Sequence, residues 1–333
     1  MRTICSWLAL VTVSAFQFAA APTLLGQAYD MRDLRTDQIR ALNLDRTVVL
    51  MSAGILEQHG PYLPAYTDGY VSEFLVREIA DAVVERPGWS VLVFPPIPLG
   101  AGGANQIGFK HVFPGTYHVH FQALRSVFMD LAGELGEAGF KWVFVVSRHG
   151  NAAHKRALDQ ASEFFNDTYA GTMVHLDGVI PPGRRPVDLG LADKERAEVG
   201  FDPHAGLDET SRILFLRPDL VNDGYRRAAP QTGQNWTELV RLAREDGWLG
   251  YLSSPRLATA ARGAAIMNEL SRQLSELVLS VLDGFDPRQL DRQLATGAFS
   301  AADPGRVEYG QESDRHDAEI EAKKTAWLTS KRY

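Results

Sequence analysis

The sequence predicts an α/β fold, a three-layer α/β/α sandwich around a mainly parallel sheet. Three observations carry that expectation. Apolar runs at 47–54, 90–94 and 142–146 are rich in β-branched or aromatic residues and are continuous rather than alternating. Continuity of that kind marks strands covered on both faces. Segments with apolar residues at helical spacing lie between these runs, and strands alternating with helices imply right-handed crossovers between parallel neighbours.

Taken in chain order, the first feature is an apolar stretch over 7–21 behind Arg2, with small residues at Ala19-Ala20-Ala21 or Gly26-Gln27-Ala28. This is the tripartite shape of a cleaved secretory signal, and the stretch falls short of the roughly 20 residues that a bilayer span needs. A membrane anchor or a buried helix is the plainer alternative. We expect 1–28 to be a signal peptide, the chain to be exported (periplasmic or secreted), and no membrane attachment after cleavage. Cys5, the only cysteine, would leave with that segment, so an oxidising compartment is tolerated.

After the strand at 47–54, Val71, Phe74, Leu75, Ile79, Ala82 and Val83 follow helical spacing, with Thr67 or Asp68 as the N-cap. The second strand leads to a stripe at Phe121, Leu124, Val127, Phe128, Leu131 and Leu135, with Gly139 as its C-cap. The third strand precedes a helix over 152–165, and 172–176 is a weaker fourth strand. A Pro-, Gly- and charge-rich stretch at 178–203 reads as a loop insertion. A helix over 258–282 ends before Asp286-Pro287. The main domain is expected over 29–290, and 291–333 is a polar C-terminal tail, either a surface helix or disordered.

A 333-residue chain with 45% hydrophobic residues buries a sizeable core without disulfides. The net charge of −7 is spread out, with no Lys/Arg block, which argues against nucleic acid or an acidic lipid surface as partner.

The chemistry-bearing residues sit at strand ends. Glu57-Gln58-His59-Gly60-Pro61-Tyr62-Leu63-Pro64-Ala65-Tyr66-Thr67-Asp68 follows the first strand. Residues two apart in an extended segment share a side, so Glu57 and His59 converge, and the turns bring Asp68 round to the next helix. Two carboxylates and an imidazole suit zinc, manganese or iron. Singly, each has a plainer reading as a loop carboxylate, a turn histidine or a helix cap. Ser147-Arg148-His149-Gly150-Asn151 follows the third strand, and a parallel sheet brings His149 to the same place. His204-Ala205-Gly206-Leu207-Asp208-Glu209-Thr210-Ser211 opens a short helix. Asp208 or Glu209 there also suits the helix dipole, while His204 and Glu209 have the residue types of a proton shuttle or a further ligand. Val112-Phe113-Pro114-Gly115-Thr116-Tyr117 reads as a rigid turn shaping a pocket wall or a subunit contact.

In this order the four motifs, over about 47–221, resemble the creatininase (creatinine amidohydrolase) family. The resemblance implies an α/β/α fold, two divalent metals, hydrolysis of cyclic or linear amides and a homo-oligomer. It places Glu57, His59, Asp68 and His149 on metal ligands, with Asp68 bridging, and His204 and Glu209 on basic and acidic site residues; in many members that glutamate is a ligand. Three departures stand out. Ser147-Arg148-His149-Gly150-Asn151-Ala152 replaces the usual Asn-Gly-His-Gly-Gly-Asn, and Asn151 and Leu207 stand where the family places glutamates. Creatinine is therefore not the expected substrate. The expectation is a metal-dependent hydrolase of an amide C–N bond acting on a small-molecule amide through a metal-activated water, with one or two cations per chain. A non-catalytic binding protein, or a peptidase or deformylase branch, is the alternative.

Overall fold

The structure, a computed structural model, describes residues 26–331 other than 185, 297, 298, 300 and 301. Apart from 26–28, the expected signal segment lies outside the described residues. Among these, one sheet contains five parallel strands, β1 (Ala28–Asp30), β2 (Thr47–Ser52), β3 (Ser90–Val93), β4 (Trp142–Val146) and β5 (Thr172–His175), in the order β1-β3-β2-β4-β5. The last four are the runs expected from the sequence. β1 is an addition to them: it is three residues long and forms by pairing its backbone with the free edge of β3.

The helices are α1 (Thr36–Arg40), α2 (Thr67–Val84), α3 (Phe121–Glu137), α4 (Ala152–Thr168), α5 (Asp193–Val199), α6 (Leu207–Leu216), α7 (Trp236–Arg244), α8 (Ala260–Leu282) and α9 (Pro304–Ser330). Val48 and Leu50 of β2 point into a cluster with Leu75, Ile79, Met267 and Leu274 of α2 and α8. Val49 and Met51 point the other way, onto Leu124, Phe128, Leu158 and Phe165 of α3 and α4. All four β2 side chains are wholly buried, each contributing about 1.5–3 kcal/mol by leaving water. Burial on both faces is the physical reason that the strand is apolar at consecutive positions.

Two boundaries differ from the sequence expectation. The N-cap of α2 is Tyr66, with no side-chain cap; Thr67 instead donates its hydroxyl to the Pro64 carbonyl at 2.8 Å. Asp68 therefore lies in the first turn with its carboxylate free for other partners. The insertion at 178–203 contains α5. The tail is a 27-residue helix, α9, held by Asp303, which caps its own helix and accepts from the Trp236 amide at 2.8 Å.

β3 and β4 flank β2 on opposite sides, so the chain leaves β2 in one direction and returns across it. Open parallel sheets bind ligands outside the C-terminal ends of strands at such a reversal. The segments after β2, β3 and β4 all emerge there.

Candidate metal and catalytic site

The loop from β2 to α2 is drawn tight by its own backbone. The Glu57 amide donates to the Ala65 carbonyl at 2.9 Å, and Gly60 turns at φ +65°, a conformation that only glycine adopts without strain. This folds Glu57, His59 and Asp68 inward, exposed by only 1%, 1% and 3%. His149 after β4 and His204 before α6 are buried against them, and Glu209 reaches in from the first turn of α6. Ala205 has φ +50°, and its amide donates to Glu209 at 2.6 Å. This strained turn fixes the carboxylate relative to His204.

The six residues expected from the sequence thus meet in one place. His149 Nδ1 lies 3.0 Å from Glu57 Oε2 and 3.1 Å from Asp68 Oδ2. His59 Nε2 lies 3.7 Å from Asp68 Oδ1 and 3.5 Å from Glu209 Oε2. Two ligand groups, Glu57–Asp68–His149 and His59–Asp68–Glu209, share Asp68, with one oxygen facing each. The remaining ring nitrogens are spoken for. His149 Nε2 donates to the Gly102 carbonyl at 2.9 Å, and His59 Nδ1 donates to the Glu57 carbonyl at 2.9 Å. Such outer bonds set the tautomer that offers a lone pair inward. His59 Nε2 is buried with no hydrogen-bond partner among the described residues. Glu57 Oε1 also accepts from the Ala104 amide.

Three carboxylates in so small a volume draw positive charge. Burial opposes ionisation of Glu57, yet the neighbouring His149 and His204 hold its pKa below the usual value. Burial opposes ionisation of Asp68 too, but His149 and His59 hold it well below. Burial disfavours charge on His59, but Glu209 and Asp68 outweigh it and push the imidazole up to about 10. His149 meets the same opposition from burial, and Glu57 and Asp68 raise it well above its ordinary value. Glu209 is pushed up to about 7 by burial, and His204 is held down to about 4 by burial and by His59. Buried anions facing unpaired lone pairs are costly unless a cation joins them, so the donor set fits a divalent metal.

The two positions where the resemblance implies glutamates have other work. Asn151 caps α4, accepting from the Ala153 amide at 2.7 Å, and donates to the Tyr309 hydroxyl at 2.6 Å. Leu207 is buried core. Sequence reasoning missed the backbone of 101–104, whose signal was the small-residue run Gly100-Ala-Gly-Gly-Ala104 in the segment that follows β3. It also missed where the tail helix α9 docks, bringing Arg306 and Tyr309 to a cavity of about 340 Å³ above the cage. Arg148, Lys155 and Arg184 line the same cavity, as does Trp236. Trp248 and Tyr251 are buried in packing clusters.

Residues 32–278 match the family model described as Creatininase: Creatinine amidohydrolase. The chain is 30% identical over 232 residues to a mycofactocin precursor peptide peptidase of Mycobacterium ulcerans (strain Agy99), covering 67% of this chain and 80% of that one. It is 25% identical over 237 residues to a creatinine amidohydrolase of Pseudomonas putida, covering 69% and 88%. A solved structure described as "Creatininase Mn" superposes with a TM-score of 0.58 at 21% identity, over 76% of this chain and 98% of that one.

Proposed function

The chain belongs to the creatininase family, and on that premise we propose that its buried cage is the centre of a metal-dependent hydrolase cleaving an amide-type C–N bond. The observation that carries this reading is the pair of ligand groups joined through Asp68. A divalent cation held there would supply Lewis-acid polarisation of an amide carbonyl and water of lowered pKa. Mixed nitrogen and carboxylate donors favour zinc, with manganese or iron also accommodated; zinc is the cation proposed.

The chain's own residues do the rest. Glu57, Asp68 and His149 would hold one cation, and His59, Asp68 and Glu209 a second. The Gly102 and Glu57 carbonyls keep both ligating imidazoles oriented. His204 donates from Nε2 to the Gln58 carbonyl at 2.8 Å, leaving Nδ1 toward Glu209 at 3.9 Å. Because burial keeps this ring neutral, Nδ1 accepts a proton from the attacking water and returns it to the leaving nitrogen. Arg148, Lys155, Arg184 and Arg306 on the cavity wall suit a small amide that carries a carboxylate. A short peptide is a second reading, supported by the resemblance to the mycobacterial peptidase, since the same wall would take its C-terminus.

The test is elemental analysis of the purified chain followed by a screen of amides, lactams and short peptides on metal-loaded protein. His59→Ala and Asp68→Ala should each lose bound metal and hydrolysis together. Retention of full metal content and full activity by either variant would refute the assignment, and a chain that never holds a divalent ion would favour the non-catalytic alternative.

Export and assembly into a homo-oligomer belong to the same proposal. The signal-like sequence at 1–28 supports the first, and no helix of the described residues is long and apolar enough to cross a membrane. The family resemblance supports the second, as do Val112 and Tyr117, which stand 94% and 70% exposed beside the Pro114-Gly115 turn. Cell fractionation and light scattering test them.

A further inference from the structure

Four of the nine histidines gather away from the cage, where the segment leading into α3 meets α9. We propose that His118, His120 and Asp317 form a second, separate site for a zinc-class divalent cation, which fastens the C-terminal helix onto the domain. His118 and His120 are two apart in a stretch held extended by the Val119 amide donating to the Gly100 carbonyl at 2.9 Å, so both rings face the same way. Ligand atoms of the three residues all lie within 4.8 Å of one another.

The hydrogen bonding around His120 makes the case. Its Nδ1 donates to Glu321 Oε1 at 2.9 Å, which leaves Nε2 with a lone pair. That lone pair faces Asp317 Oδ1 at 3.8 Å, and this carboxylate oxygen is buried with no hydrogen-bond partner among the described residues. Two acceptors face each other across a gap too long for a hydrogen bond. Bonds of about 2.0–2.2 Å from each to one tetrahedral ion fill such a gap. Carboxylate–histidine–metal is also a recurrent arrangement of zinc sites, and Glu321, one helical turn beyond Asp317, supplies the outer carboxylate.

The consequence lies at the other end of the helix. α9 is polar all round, with Gly305 and Tyr309 as its buried residues, and a helix with so little apolar contact docks weakly. Yet it carries Arg306 and Tyr309 into the cavity wall. α9 also lies outside the residues that match the family model, so the latch would be a device of this chain rather than of the hydrolase domain.

The test uses the full chain with Asp68→Asn to weaken the catalytic cage, titrated with Zn²⁺ alone. Asp68→Asn should still bind one zinc per chain, with backbone amides of 310–325 exchanging about 100-fold more slowly when free zinc is 100 times its Kd. Adding Asp317→Asn, or independently His118→Ala, should abolish both the binding and the protection. The proposal is overturned if the doubly substituted chains still bind that zinc, or if α9 exchange is the same with and without it. Loss of hydrolysis in Asp68→Asn bears on the catalytic cage alone.

Discussion

His204 and the two cage imidazoles are set apart by what each ring nitrogen touches. His59 and His149 turn a nitrogen to within 3.7 Å of two carboxylates each, whereas the carboxylate nearest His204 is that of Glu209, at 3.9 Å, and Glu57 shares a looser 4.8 Å grouping with it. His204→Ala should therefore keep its metal, measured by elemental analysis, while kcat falls about 10²- to 10⁴-fold, the usual worth of a positioned proton carrier. Lys155 gives a pH signature away from the cage. Its Nζ donates to the Asp177 carbonyl at 2.9 Å, and burial lowers its pKa to about 8. The unfolded chain keeps this proton up to about 10.5, so between these values the unfolded state binds more protons and stability rises with pH. Below about 8 the full cost of the buried charge is present. Relative to Lys155→Met, the wild type should gain on the order of 3 kcal/mol between pH 7 and pH 10.5, read from denaturant midpoints; a constant difference would contradict this. At this scale Glu57, His59 and Asp68 were legible because spacing alone converges them. Glu209 was singled out as well, but the reason that it and not Asp208 enters the cage was not legible. It depends on Arg212, which pairs with Asp208 one turn along α6 and leaves Glu209 to the cage.

Among the elements, the strands buried on both faces were the most legible, because a strand with one face in water would alternate polar with apolar residues. β1 and the docking of α9 were not legible: a three-residue edge strand is made by its neighbour's backbone, and a polar helix has no apolar stripe to betray its docking face. The packing of α6 on α8 was equally hidden. It depends on Gly263, where an added Cβ would lie 1.9 Å from the Ser211 carbonyl oxygen. Gly263→Ala should push α6 away and cost about 1–3 kcal/mol, as overpacking does. Since α6 carries Glu209, activity should drop along with the melting temperature; a variant that melts lower yet turns over normally would separate α6 placement from catalysis.

Across the whole molecule, the strand order explains why residues from 57 to 209 share one cavity, and that much followed from a parallel sheet. The contribution of 304–330 to the same cavity did not, because nothing in a charged tail specifies where it lands. One further consequence comes from the edge of the sheet. The Gln27 carbonyl accepts from the Val91 amide at 2.9 Å, and Ala28 starts β1. Gly26 nestles so closely against the Val84 and Trp89 carbonyls that a Cβ there would come within 2.4 Å of the Trp89 oxygen. A signal peptidase cutting after Ala28 would strip 26–28 and leave the Val91 amide at the rim of β3 without the Gln27 carbonyl, an opening for self-association. Tyr29 and Asp30 would still cover Leu92 and Val93. Cutting after Ala21 spares 26–28. For the export proposed above, cleavage ahead of Gly26 would leave this edge whole, and intact-mass measurement of secreted protein should find a first residue earlier than Gly26 rather than Tyr29; a Tyr29 start would contradict this.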